Sequence, residues 1–253
     1  MLIVPDLLFY VVAVPAVLLI GISKGGFAGG LGVLAVPMMA LAISPRQAAG
    51  IMLPILCVMD VTGFRIWVGR CDWALLRRLL PGALLGIFVG ALTFQFVSDT
   101  MLKLMVGVLA LVFTLNHWFK AHIRVPAHRR LPDTVSSMFW SVLSGFTSFM
   151  AHAGGPPIMI YLLPRQIDRS VLVGTATIYF AVVNYVKLVP YVILGQLGAE
   201  NLLTSLVLAP VAVLGVAMGA WLHDRVDQIL FFRLLYGFLF VTGLKLCWDG
   251  IGL

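Results

Sequence analysis

The chain is a succession of apolar segments, several of them long enough to cross a bilayer. They run roughly 7–22, 31–43, 47–68, 73–97, 101–119, 134–150, 156–163, 170–194, 201–222 and 228–248, and a crossing helix needs about 20 residues. Of the 253 residues, 61% are apolar and only 11% are charged, against about 25% charged in a soluble domain. So much apolar surface must face lipid or other membrane helices. Secreted globules, nucleic-acid readers and disordered chains are ruled out. The net charge of +7 sits mostly between the apolar runs and is no DNA-binding footprint. Cys57, Cys71 and Cys247 have no metal-ligand spacing and imply no disulfide framework. No basic region precedes the first apolar run, and Asp6 lies near its start, so that run reads as mature protein rather than as a signal peptide.

Segments 31–43 and 156–163 are too short to cross. Each follows a longer segment across a Gly-rich break. One break is Ser23-Lys24-Gly25-Gly26-Phe27-Ala28-Gly29-Gly30; the other is Ser148-Phe149-Met150-Ala151-His152-Ala153-Gly154-Gly155-Pro156-Pro157. The stretch from Lys120 to Asp133, with Lys120, Arg124, Arg129 and Arg130, cuts the chain nearly in half. This divides it into a first membrane repeat (1–119), a basic linker (120–133) and a second repeat (134–253). A shift of 124 positions lays Gly21 on Gly145, Gly30 on Gly154, Gly50 on Gly174 and Asp60 on Asn184. A shift of 129 lays Pro81, Gly86 and Gly90 on Pro210, Gly215 and Gly219. So constant an offset over more than a hundred residues reads as a duplication.

The positive-inside rule orients the chain. With the basic linker cytoplasmic, the loop carrying Arg70, Arg77 and Arg78 is also inside and Pro45 is outside. If 134–163 enters and returns as a hairpin, Arg165 and Arg169 are inside and Glu200 is outside; a single crossing would reverse both. The charges favour the hairpin, and by the repeat 7–43 forms its counterpart from the other face. The expected fold is an all-α polytopic membrane protein of two inverted repeats, each a Gly-broken helical hairpin plus three transmembrane helices. Both termini are then outside, and the two hairpin tips meet near the bilayer midplane.

Broken helices at an inverted-repeat interface are a usual address for a transported ion. A helix starting after Gly30 or Gly155 offers unpaired N–H groups and a positive dipole end, and glycines let an anion come close. The candidate substrate-binding residues are Ser23, Lys24, Gly25, Gly26, Gly29 and Gly30 in the first break, and Thr147, Ser148, His152, Gly154 and Gly155 in the second. Asn184 and Lys187 join them from the adjoining span. Asp60, the one carboxylate well inside an apolar run, is a candidate for proton coupling or for compensating Lys24. Structural readings stand beside these: Lys187 snorkelling to the nearby loop, His152 as a packing residue, and the glycine pairs as helix-packing sites.

The string Gly21-Ile22-Ser23-Lys24-Gly25-Gly26-Phe27, running on to Val36-Pro37, resembles the first signature of the sulfite exporter TauE/SafE family. Ala151-His152-Ala153-Gly154-Gly155-Pro156-Pro157, followed by Val183-Asn184-Tyr185-Val186-Lys187-Leu188-Val189-Pro190, resembles its second-half counterpart. The resemblance extends over essentially the whole chain. It implies movement of sulfur-containing anions such as sulfite and organosulfonates across a bacterial inner membrane; the residues alone point only to an anion.

The leading expectation is a secondary transporter that exports a small oxyanion. An inside-negative potential drives anions outward with about 2.3 kcal/mol per charge per 100 mV, so export needs no coupling ion. A passive anion channel or facilitator is the alternative, and a membrane-embedded hydrolase a weaker one, since hydrolysis wants paired acid–base groups or a metal. No cofactor, metal or nucleic acid is expected. The expected partners are the anion and the lipid bilayer. The repeated Gly86-x-x-x-Gly90 and Gly215-x-x-x-Gly219 patterns leave a homodimer open.

Overall fold

The long helices start where the sequence supplies an acceptor for first-turn N–H groups that lack an intrahelical partner. Asp6 caps α1 (Leu7–Gly26), Ser44 caps α3 (Pro45–Trp67), Asp72 caps α4 (Trp73–Phe94) and Asp168 caps α8 (Arg169–Ile193). The other helices are α2 (Ala35–Met39), α5 (Asp99–Lys120), α6 (Asp133–Ala151), α7 (Gly155–Leu162), α9 (Ala199–Leu222) and α10 (Gln228–Ile251). The computed structural model describes residues 3–4, 6–27, 32–120, 132–223, 225 and 228–251. Among these, every regular element is helical, and six helices (α1, α3, α4, α5, α8 and α9) contain stretches long and apolar enough to cross a membrane. The chain is a multi-pass membrane protein. Most of the 120–133 linker lies outside the described residues.

Polar contacts sort the helices by direction. At one end, the N-terminal end, the Val4 N–H donates to Thr204 Oγ1, Gln47 donates to Glu200, and Arg46 donates to Asp99 and to the Val97 carbonyl. These contacts gather the starts of α1, α3, α5 and α9. At the opposite end Arg70 donates to Ser170, the Asp72 N–H donates to Thr175 Oγ1, and Asp133 accepts from Arg78, Arg165 and Tyr161. That end holds the starts of α4, α6 and α8. Because Arg165 returns to Asp133, residues 133–165 enter and come back at the same end. Because α1 and α3 start together, 7–43 does so from the N-terminal end.

One expectation needs correcting. The helix does not break at Ser23: α1 continues through Gly26, and α6 continues through Ala151. The side chains of both breaks reach one shared cavity, while the backbone turns pass each other, Gly25 ending beside Trp67 and His152 beside Ala49. α1 lies parallel to α9, with Gly21 against Gly215 and Gly26 beside Gly219 and His223. α6 lies parallel to α4, with Gly145 against Ala83 and Phe149 against Gly90. A helix of 20 residues is about 30 Å long, the thickness of the hydrocarbon core. Each hairpin's turn therefore comes out near the end opposite its entry.

Glycines permit this packing. A Cβ on Gly21 would stand 2.8 Å from the Gly215 Cα, and one on Gly25 would overlap the Val216 carbonyl oxygen. A Cβ on Gly86 would overlap the Val142 carbonyl oxygen. The close contacts of Gly86, Gly90, Gly215 and Gly219 thus lie within one chain, between α4 and α6 and between α1 and α9.

Candidate functional site

Helices α3 and α8 cross antiparallel. Gly50 lies near Gln196, Asp60 near Asn184, and Gly174 near Trp67 and Arg70. The Asp60–Asn184 contact is therefore at the middle of the pair. Asn184 Nδ2 donates to Asp60 Oδ2 at 2.7 Å. Lys24, in the last turn of α1, donates to Asp60 Oδ1 and reaches the Leu56 carbonyl at 3.4 Å. All three side chains are buried.

A second cation lies one helical turn along α8. Lys187 is fully buried, and its ammonium donates to the Ser148 carbonyl and Ser148 Oγ, both at 3.0 Å, and to His152 Nδ1 at 2.8 Å. The three acceptors match its three N–H groups, and all are neutral. The His152 Nε2 lies 3.0 Å from the Ala49 carbonyl, which can only accept. This makes His152 the neutral tautomer with its proton on Nε2 and its Nδ1 lone pair toward Lys187. His152 itself closes α6 in the left-handed region, at φ 52°.

These groups surround a cavity of about 20 Å³ lined by Lys24, Leu56, Ser148, His152, Gly155, Phe180 and Asn184. That is enough for at least one water. Among the described residues, two lysine amines and one carboxylate make up the ionisable groups at the centre of this cluster, and only Lys24 is paired with the carboxylate. A buried amine without a carboxylate partner is costly to keep charged unless an anion answers it. Toward the N-terminal end, His152, Tyr191, Phe149 and Phe94 stack in succession, with the Arg46 guanidinium 4.7 Å from the centre of the Phe94 ring.

The sequence candidates take different places. Lys24, Ser148, His152, Gly155 and Asn184 face the cavity; Lys187 and Asp60 stand behind them and hold them. Lys187 does not snorkel. Thr147 Oγ1 donates to the Leu143 and Ala153 carbonyls, at 2.8 and 3.1 Å, and so closes the turn. Gly25 and Gly26 pack on α9, and a Cβ on Gly154 would lie 2.7 Å from the Ser144 carbonyl, within α6. Ser23 Oγ is buried with no partner among the described residues. Gly29 and Gly30 lie outside the described residues. The start of α7 offers fewer donors than its position suggests, since Pro156 and Pro157 carry no N–H and the Ile158 N–H turns to the Gly154 carbonyl; Gly154 and Gly155 are the residues left to donate there.

Leu56 and Phe180 were not singled out from the sequence, although each lies four residues before a singled-out polar residue, Asp60 or Asn184, and so on the same helix face. Trp67, at the end of α3, is buried and its Nε1 donates to the Gly25 carbonyl at 2.8 Å. His223 Nδ1 meets the Gly26 carbonyl at 2.6 Å, and together they hold the end of α1.

The profile of the family described as "Sulfite exporter TauE/SafE" matches residues 13–246. The chain is 27% identical to the "Probable sulfite/organosulfonate exporter TauE" of Cupriavidus necator over 187 residues, 71% of this chain and 70% of that relative. No solved structure matches.

Proposed function

Because the chain belongs to the sulfite exporter TauE/SafE family, we propose that it is a secondary transporter that exports a small sulfur-containing oxyanion, sulfite or an organosulfonate, across the bacterial inner membrane. The observation that carries this reading is two buried lysines sharing a single carboxylate partner beside a cavity in the middle of the bundle. Lys24 supplies a full charge, and Ser148, Asn184 and the Gly155 backbone face the same space; sulfite and sulfonate oxygens are acceptors.

We read the two halves as inverted repeats. Supporting this, α1 and α6 start at opposite ends, and equivalent contacts recur at the same offsets. Gly21 meets the Ala212 carbonyl as Gly145 meets that of Ala83, and Gly215 meets the Leu18 carbonyl as Gly86 meets that of Val142. The end carrying Arg70, Arg78, Arg165 and Arg169 is cytoplasmic by its charge, which leaves both termini periplasmic. The membrane potential alone then drives export.

The test is efflux from proteoliposomes loaded with sulfite or methanesulfonate. Saturable efflux that accelerates with inside-negative potential, and is lost in Lys187→Met, supports the reading. Efflux that stays linear in concentration would make the protein a channel.

A further inference from the structure

We propose that Asp60 sets the valence of the anion the site accepts: a monovalent anion binds with Asp60 ionised, and a divalent one binds with uptake of one proton by Asp60. This rests on the anion site proposed above. Both Asp60 oxygens are engaged, Oδ1 by Lys24 and Oδ2 by Asn184 at 2.7 Å. The same two donors face the cavity. Of the other polar side chains there, Ser148 accepts from Lys187 and His152 is held between Lys187 and Ala49. Asp60 is therefore an internal anion holding the donors that a bound oxyanion would take.

Charge counting separates the two cases. With Lys24 and Lys187 charged and Asp60 ionised, the cluster carries one positive charge and is neutralised by a monovalent anion. A divalent anion would leave one negative charge buried, with two anionic groups sharing the Lys24 ammonium. A buried carboxylate that loses its partner takes a proton rather than stay charged. Protonated Asp60 leaves two positive charges, matching a divalent anion. Other ionisable groups near Asp60 are Lys187 and Tyr185 on α8 and Cys57 on its own helix, with His152 across the cavity. Either way the loaded site is neutral. Each turnover then moves one net negative charge whichever anion is carried.

The test is calorimetric titration of the purified protein in two buffers of different ionisation enthalpy, which counts protons taken up per anion. The probes are thiosulfate, divalent at neutral pH, and methanesulfonate, monovalent. Wild type should take up one proton per thiosulfate and none per methanesulfonate. Asp60→Asn should take up none with either, and its preference should shift toward thiosulfate by about tenfold or more, since a unit charge at contact distance is at stake. An independent reading uses wild type alone: a carboxylic-acid C=O band should appear in the infrared difference spectrum with thiosulfate and not with methanesulfonate. Thiosulfate binding with no proton and no such band overturns the inference while leaving the anion site standing. Unchanged proton uptake in Asp60→Asn does the same. If neither anion binds, the site assignment itself falls, and this inference with it.

Discussion

Lys24→Ala is the obvious probe of the anion site, and the structure shows why its first effect is on folding. Removing the ammonium leaves Asp60, 1% exposed, with Asn184 as its remaining donor. Breaking a buried pair from one side costs about 3–5 kcal/mol, whereas replacing both partners with neutral groups of similar shape is close to neutral. At about 2–4 °C per kcal/mol for a chain of this size, Lys24→Ala should lower the melting temperature by roughly 6–20 °C. The double variant Lys24→Met/Asp60→Asn should recover most of that loss, because an asparagine at 60 still accepts from Asn184. The assay is thermal unfolding in detergent, run as a double-mutant cycle with both singles and the double. Anion binding is measured separately and should be weakened in the double, which lacks the Lys24 charge. A Lys24→Ala protein that melts within about 2 °C of wild type, or a double no more stable than the worse single, would refute the assignment of a buried, mutually dependent pair.

Gly154→Val should destabilise the second hairpin rather than plug the cavity, because its Cβ would press on the Ser144 carbonyl at 2.7 Å; a stable variant with selectively blocked anion binding would contradict this. At His152, whose φ is 52°, the glycine variant should melt above the alanine variant by an amount reflecting about 1 kcal/mol, the left-handed strain on alanine less the extra chain entropy of glycine, and the reverse order would argue against the left-handed backbone. Membrane-impermeant thiol labels on single cysteines should reach position 128 only from the cytoplasm and position 200 only from the periplasm, in cells and in inverted vesicles; labelling of both from one face would break the topology.

The residues around the site were legible because burying charge in a membrane is expensive enough to stand out. Lys24, Asp60, Asn184 and Lys187 interrupt apolar runs, and the offset that lays Asp60 on Asn184 anticipates two residues that touch. The hairpins were legible from arginine placement, since only an entering-and-returning second hairpin puts Arg165 beside Asp133. The extent of the helices was not. Two consecutive glycines read locally as a helix end, since each costs about 1 kcal/mol in a helix interior. Gly25 and Gly26 are nevertheless helical because their bare backbones fit against Val216 and Gly219, a contact no local window contains. For the same reason the roles of Trp67 and His223 are invisible in the sequence: they hold the end of α1 through the Gly25 and Gly26 carbonyls. The committed acceptors around Lys187 were equally hidden, because they depend on the turn geometry of His152.

The pairing of α1 with α9 also sets a schedule for synthesis. Gly21 meets Gly215, a separation of 194 positions by subtraction of the two numbers. At about 5–20 residues per second, α1 waits on the order of 10–40 s in the bilayer before its permanent neighbour is made. During that interval Lys24 cannot rely on the later half of the protein, but Asp60 follows only 36 residues behind it. The two charges can neutralise each other almost as soon as α3 enters the membrane, so the pair at the proposed anion site also lets the nascent first hairpin remain in lipid until α9 arrives.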